Sequence, residues 1–278
     1  MDTLAVIASL GGVARRKQLL ECGLTDRDLM IAVAQGGVTR PHRGCYALAD
    51  ATWTALRARM MSSQLTCLSA LAPLGLPTME RYSGLHLAIP EHRGFVEGDR
   101  RLREGMRFHR VCGSQSLALI APVAIVLDHL GACSTPLTQL AAIDAALNRG
   151  IVQPADIATF TQTDLRRRRW MEEHADARSQ SPLETKARFE LRAAGLHAEP
   201  QKYVDGVGHL DLLVEGRIDV ECDGRDYHAD PEAFAEDRRR DRACEMLNIP
   251  VLRYTGREVL ASRGRIANDV ERLLARRR

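Results

Sequence analysis

The sequence predicts an α/β (α+β) protein with more than one domain, and three observations carry that expectation. Its 278 residues are 45% hydrophobic and 27% charged. That is too long for one minimal module and apolar enough to build real cores, which excludes a globally disordered chain. Residues 1–50 spell three short helices and a hairpin. Residues 179–278 alternate as helix, three-strand meander, helix, strand, helix, the order of an α/β layer structure.

In the first segment Leu4, Ile7, Ala8 and Leu10 have helical spacing, ended by Gly11-Gly12. A second helix runs over about residues 14–22, with Leu19 and Leu20 apolar and Gly23 as its stop. Thr25 stands as an N-cap before a third helix over 26–35, whose Leu29, Ile31, Ala32 and Val33 are expected inside. Residues 38–40 and 45–48 are β-prone runs flanking the turn Pro41-His-Arg-Gly44. Residues 51–72 read as one helix, 86–89 and 106–109 as strands, 122–130 and 137–147 as helices, and 163–177 as a charged helix. Arg178-Ser-Gln-Ser181 is the clearest linker. Beyond it come a helix over 182–194 capped by Ser181, strands at 203–204, 209–214 and 217–223 with a tight turn at Glu215-Gly216, an arginine-rich helix over 231–247, a strand at 251–254 and a helix at 266–274.

Composition narrows the function classes. The longest uncharged apolar stretch, residues 117–127, is too short to span a bilayer and runs into Asp128 and His129, and Asp2 sits where a signal peptide carries positive charge. A soluble cytoplasmic protein with no membrane partner is expected. The seven cysteines contain no C-x-x-C pair, so reduced thiols are expected in place of a disulfide framework or zinc ribbon. His86, His92 and His109 lack zinc-site spacing and read as surface residues. The net charge of +3 divides as about +1 over 1–50, about +3 over 51–178 and about −1 over 179–278, so no segment has the basic excess of a non-specific DNA coater.

The chemistry concentrates in the last segment. Asp211 lies on one strand of the expected hairpin, and Glu221 and Asp223 share one face of the next, with Cys222 on the other. Glu184 on the preceding helix adds a fourth carboxylate. Carboxylates that converge at a strand end repel unless a hard cation bridges them. Mg²⁺ (or Mn²⁺) takes such oxygen ligands and activates water against a phosphodiester. His228 is a candidate base. Asp237, Arg240 and Asp241 are candidates to support the site, against the alternative of a solvated helix face; Arg253 is either a phosphate contact or an ion-pair partner of a helix carboxylate.

Ser181-Pro-Leu-Glu184, His209-Leu-Asp211, Val220-Glu-Cys-Asp-Gly-Arg-Asp-Tyr-His228, Phe234-Ala-Glu-Asp-Arg238 and Val251-Leu-Arg253 together resemble a domain of the very-short-patch-repair endonuclease type, within the PD-(D/E)XK nuclease superfamily, over roughly residues 181–278. The resemblance implies a restriction-endonuclease-like α/β core, metal ligation by Asp211 and Glu221, and Glu184 as the helix acid. Asp223 falls where the superfamily carries a lysine. In the short-patch-repair-like branch a histidine near this place contributes instead, and His228 resembles it.

Three helices followed by a hairpin is the winged helix-turn-helix plan. Arg15, Arg16 and Lys17 open the second helix, Thr25, Arg27 and Asp28 the third, and Arg40, His42 and Arg43 crown the hairpin, all placed for DNA. Residues 4–48, with Gly44-Cys-Tyr-Ala-Leu48, resemble the N-terminal domain of AbiEi-type antitoxins, and the middle region resembles their second domain. The expected organisation is therefore a winged helix-turn-helix over 1–50, a mixed α/β antitoxin-like domain over 51–178 and a nuclease domain over 179–278. The expected activity is Mg²⁺-dependent endonucleolytic cleavage of DNA. The alternative is a transcriptional regulator or antitoxin whose nuclease fold only clamps DNA. Partners expected are DNA, a second copy able to read a palindrome, and, by the resemblance, a cognate toxin or phage-defence protein.

Overall fold

The computed structural model describes residues 1–94, 104–112, 117–223 and 231–276. The fold is α+β, with three sheets distributed over two compact units. The first comprises residues 1–75, 80–134 and 160–164, the second 76–79, 135–159 and 165–278. Residue 50 lies inside the first unit and residue 178 inside the second.

The first unit opens with α1 (Thr3–Ser9), β1 (Val13–Arg15), α2 (Arg16–Glu21), α3 (Asp26–Ala34), β2 (Thr39–His42) and β3 (Cys45–Ala47). The strands form an antiparallel sheet in the order β1-β3-β2, the winged helix-turn-helix connectivity. Asp2 caps α1 by accepting from the Leu4 amide at 2.9 Å, and Thr25 and Asp28 form a reciprocal capping box on α3. Ile7, Leu19, Leu24, Leu29 and Val38 make the core beneath them. Ile31 and Val33 are exposed, contrary to expectation: α3 turns Leu29 and Ala32 inward, and helical spacing then carries 31 and 33 to the solvent side.

The rest of this unit is α4 (Trp53–Met60), β4 (Gln64–Leu65), α5 (Cys67–Leu71), β5 (Leu85–Pro90), β6 (Met106–Val111) and α6 (Val123–Leu130), with β4 antiparallel and β6 parallel to β5. The single helix expected over 51–72 is thus broken. Ser62 and Cys67 adopt left-handed φ values of 45° and 50°, and the segment between them pairs with β5. Arg59 is buried, and among the described residues it has no carboxylate partner. Its guanidinium donates to the carbonyls of Leu10 (3.0 Å), Val13 (3.1 Å), Leu117 (2.7 Å) and Ala118 (3.3 Å), which ties α4 to both the winged segment and the approach to α6. Asp128 accepts from the amides of Thr161, Gln162 and Thr163, and Gly131 lies so close to Thr163 that an added Cβ would stand 2.7 Å from its Cα.

The second unit contains α7 (Pro136–Asn148), α8 (Pro154–Ile157), α9 (Leu165–His174), α10 (Pro182–Ala193), β7 (Ala198–Val204), β8 (Gly208–Val214), β9 (Ile218–Asp223), α11 (Pro231–Met246), β10 (Val251–Thr255), α12 (Gly256–Ala261) and α13 (Arg265–Arg276). The sheet runs β10-β9-β8-β7, antiparallel except for the β9–β10 pair, which α11 connects. This is the helix–meander–helix–strand order read from the sequence, with α8 and α12 added and β7 beginning at Ala198. Glu215 and Gly216, at φ 51° and 64°, make the expected turn, whose positive dihedrals suit the strand twist. Leu212, Val214, Ile218 and Val220 pack with Leu191, Ile266 and Val270, while Val207, Leu210, Leu213 and Cys244 form a second cluster.

Behind the sheet, Asp144 of α7 and Arg188 of α10 form a buried ion pair, Nη2 to Oδ2 at 2.6 Å, each side chain 1% exposed. Thr185 Oγ1 and the Asp176 amide complete the carboxylate, and Arg188 also donates to the His174 carbonyl and Ser179 Oγ. Removing one partner strands the other charge in the interior. Arg188→Met is therefore expected to destabilise the protein by about 3–5 kcal/mol in urea unfolding, and the Asp144→Leu/Arg188→Met double variant by less than the sum of the singles.

Candidate functional site

Among the described residues, Glu184, Asp211, Glu221 and Asp223 gather around one end of the β8–β9 pair. Ser181 caps α10 through the Glu184 amide (3.1 Å), which sets Glu184 in the first turn, buried. Its Oε2 accepts from the Gln180 amide (3.0 Å) and Gln201 Nε2 (3.1 Å). The β8–β9 ladder pairs Val214 with Ile218 and Leu213 with Asp219. Further along, Asp211 Oδ2 accepts from the Cys222 amide at 3.0 Å, so a side-chain oxygen does the work of a ladder carbonyl. Asp223 ends β9, exposed, in register with Thr255 of β10.

Glu221 faces Arg253 across the parallel β9–β10 pair, and the two are joined at 2.7 Å. Arg253 also grips Asp237 with two bonds of 2.8 Å and Asp241 with one of 2.7 Å. Arg240 donates to the second Glu221 oxygen (3.2 Å) and to the His209 carbonyl (2.7 Å). The three residues expected as support, Asp237, Arg240 and Arg253, are therefore assembled around Glu221. Of the two sequence readings of Arg253, its geometry is that of the ion pair.

The charges respond to this crowding. Burial raises the Asp211 carboxyl, and the neighbouring charges of Glu184 and Asp223 add to it, against the Cys222 amide and Arg240. Burial raises Glu221 too, opposed by Arg253 and Arg240. Asp219, which sequence reasoning did not single out, is fully buried with neither carboxyl oxygen hydrogen-bonded. Burial, Glu221 and Asp211 push it up to about 8, and its alternation with Glu221 along β9 was the signal that could have found it.

Asp211, Glu221 and Asp223 share this strand end but do not close to ligand spacing. Among the described residues, the His, Cys, Asp and Glu side chains that bring three or more ligand atoms within 4.8 Å of one another are Cys67, His86, His109 and Cys133 of the first unit. His86 and His109, read from the sequence as surface residues, are 4% and 6% exposed, because alternation along β5 and β6 turns them toward α5 and α6. Burial, with the adjacent His129 and His86, pushes His109 down to about 3. His92 is exposed, as expected. His228 lies outside the described residues.

In the winged segment Lys17, Thr25, Arg27, Arg40 and Arg43 are exposed and His42 half-buried. Arg40 leans over the Tyr46 ring at 5.7 Å. Arg16 pairs with Asp26. Arg15 turns inward to the carbonyls of Arg59 (3.3 Å) and Met60 (3.1 Å). Thr25 is occupied by the capping box, its hydroxyl 2.6 Å from Asp28. The exposed side of α3 carries Met30, Ile31 and Val33 beside Arg27.

Arg253→Met would leave Glu221, Asp237 and Asp241 facing one another, with Arg240 still paired to Glu221. Because Arg253 is 27% exposed, water screens part of the loss. The expected cost is roughly 2 kcal/mol in chelator, smaller in millimolar Mg²⁺, measured by urea unfolding.

No protein-family model matches the chain, and no curated protein matches it. A solved structure it is similar to is the RV2827C protein from Mycobacterium tuberculosis, at 11% identity and a TM-score of 0.35, over 66% of this chain and 77% of that one.

Proposed function

We propose that the chain is a metal-dependent endonuclease acting on DNA, with the carboxylates of the second unit as its reactive centre and the winged segment as its DNA contact. The observation that carries this reading is the gathering of Glu184, Asp211 and Asp223 where the β8–β9 ladder gives way, with the Asp211 carboxyl raised first by burial and further by the charges of Glu184 and Asp223. An all-oxygen donor set of this kind suits Mg²⁺ or Mn²⁺. Bound there, such a cation supplies Lewis-acid polarisation of a phosphodiester and an acidified water. Glu184, Asp211 and Asp223 are the residues to hold it. Glu221, fixed by Arg253 and Arg240, serves to hold β9 against β10 and to keep negative potential beside Asp211. On DNA, Lys17, Arg27 and Arg43 are the exposed cations to meet phosphates, with Arg40 and His42 on the wing.

The second reading is a regulator or antitoxin that binds DNA without cutting it, and one observation favours it. Glu221 is already satisfied by two arginines. The deciding experiment incubates supercoiled, mismatched and branched DNA with Mg²⁺ or Mn²⁺. Cleavage by the wild type that falls at least about a hundredfold in Asp211→Ala and in Glu184→Ala supports the enzyme. Tight, salt-sensitive binding with no strand broken supports the regulator.

Either reading makes the same forecast for the winged segment. Lys17→Ala and Arg43→Ala are each expected to weaken DNA binding by a similar factor on every sequence and to lower the slope of log K against log salt by about 1, measured by fluorescence anisotropy. Arg15→Ala is expected to leave that slope unchanged, since its guanidinium is engaged by the Arg59 and Met60 carbonyls.

A further inference from the structure

We propose that Cys67, His86, His109 and Cys133 form a structural zinc site in the first unit. Their four ligand atoms lie within 4.8 Å of one another, yet the residues come from four separate places: the start of α5, β5, β6, and the turn after α6. His86 and His109 stand on neighbouring parallel strands, where Ala88 is opposite His109, so the two rings meet diagonally across one face. Thr66 holds the Cys67 turn against β5 by donating its amide to the His86 carbonyl at 3.1 Å.

The spacing is that of ligands around one ion. A tetrahedral zinc with Zn–N near 2.05 Å and Zn–S near 2.3 Å separates two nitrogens by about 3.3 Å and a nitrogen from a sulfur by about 3.6 Å. His86 Nδ1 and His109 Nε2 are 3.2 Å apart, and His109 Nε2 and Cys133 Sγ are 3.6 Å apart. His86 Nδ1 and Cys133 Sγ therefore both face the same imidazole nitrogen, His109 Nε2, which can hold at most one hydrogen. A cation at their centre accepts a lone pair from each. Two sulfurs and two nitrogens select zinc among common divalent ions, and four protein ligands with three of the residues buried leave no open position, which is the structural rather than the catalytic pattern. Binding expels the two thiol protons to solvent. The dication then balances two thiolates, so no net charge is buried.

The surroundings are those of a supported site. His129 stacks on His109 with centroids 4.6 Å apart, and its Nδ1 meets Thr66 Oγ1 at 2.7 Å, so it braces the ligand ring while bound elsewhere. Cys67 holds a left-handed φ of 50°, uncommon for a residue with a Cβ, and this directs its sulfur inward at the break between β4 and α5.

The test uses the full chain, purified in reducing buffer without chelator. Elemental analysis is expected to give one zinc per chain. Replacement by Co²⁺ is expected to give the intense visible bands of a tetrahedral site with a thiolate-to-cobalt charge-transfer band. In Cys133→Ser and His86→Ala the cobalt affinity is expected to fall more than the roughly 10–100-fold that loss of a mere supporting residue causes. Those variants could misfold, so alkylation of the wild type supplies an independent readout: zinc is expected to protect the half-buried Cys133 from iodoacetamide while exposed Cys112 reacts equally with and without it. Reduced protein that takes up neither zinc nor cobalt overturns the proposal. So does cobalt bound without a thiolate band, or Cys133 reactivity that zinc does not alter.

Discussion

The guanidinium of Arg253 is the counter-charge on which the second unit depends. Two like charges about 4 Å apart near a protein surface repel by roughly 4 kcal/mol. The end of this sheet gathers Glu221, Asp237 and Asp241 within hydrogen-bonding reach of one side chain. Burial works against the charge on Arg253, and the three carboxylates outweigh it, so the group stays cationic. Because Arg253 is on β10, Glu221 on β9 and the two aspartates on α11, the same four bonds that neutralise the cluster also lock the crossover helix to the strands it connects. Charge balance and topology are here one interaction.

The remaining acids each have a different remedy. Burial and the charges of Glu221 and Asp211 favour the protonated form of Asp219. Asp211 takes the Cys222 amide, and Glu184 takes the Gln180 amide and the Gln201 side chain. None of these remedies brings a positive charge to Asp211, Glu184 and Asp223 of the strength that Arg253 brings to Glu221. Among the described residues, Glu184, Asp211 and Asp223 are thus less fully compensated than Glu221, and it is there that the cation of the proposed function would bind.

Much of this was legible from residue order, and the failures have physical causes. The β7–β9 meander could be read because its strands are apolar-rich runs such as Leu210 to Val214 and because Glu215-Gly216 signals a tight turn between two of them. Glu184, Asp211, Glu221 and Asp223 could be singled out because strand parity and a short hairpin fix their neighbourhood. What could not be read is which oxygen finds which partner. Arg253 reaches Glu221 because β10 is parallel to β9 in a register set by packing of the crossover, not by any local pattern. The break of the 51–72 helix rests on left-handed conformations at Ser62 and Cys67, residue types that do not announce them. The cluster of Cys67, His86, His109 and Cys133 escaped for the same reason. A rule that looks for metal ligands two to five residues apart sees local loops, and these four are brought together only after α5, β5, β6 and the turn after α6 have packed.

The two units present opposite donor chemistries, and that difference has a consequence for how each would behave. Thiolates and imidazoles buried among apolar side chains hold a borderline-soft ion through directional bonds and exclude water. Carboxylates at a strand end, with Asp223 exposed, hold a hard ion that keeps most of its hydration and exchanges readily. A cation in the first kind of site adds to the folding free energy, because the unfolded chain offers no comparable set of ligands. A cation in the second mainly relieves repulsion that folding has already tolerated, so the fold of the second unit does not need it. The structural metal proposed for the first unit and the reactive one proposed for the second would thus be separable by the softness of their ligands.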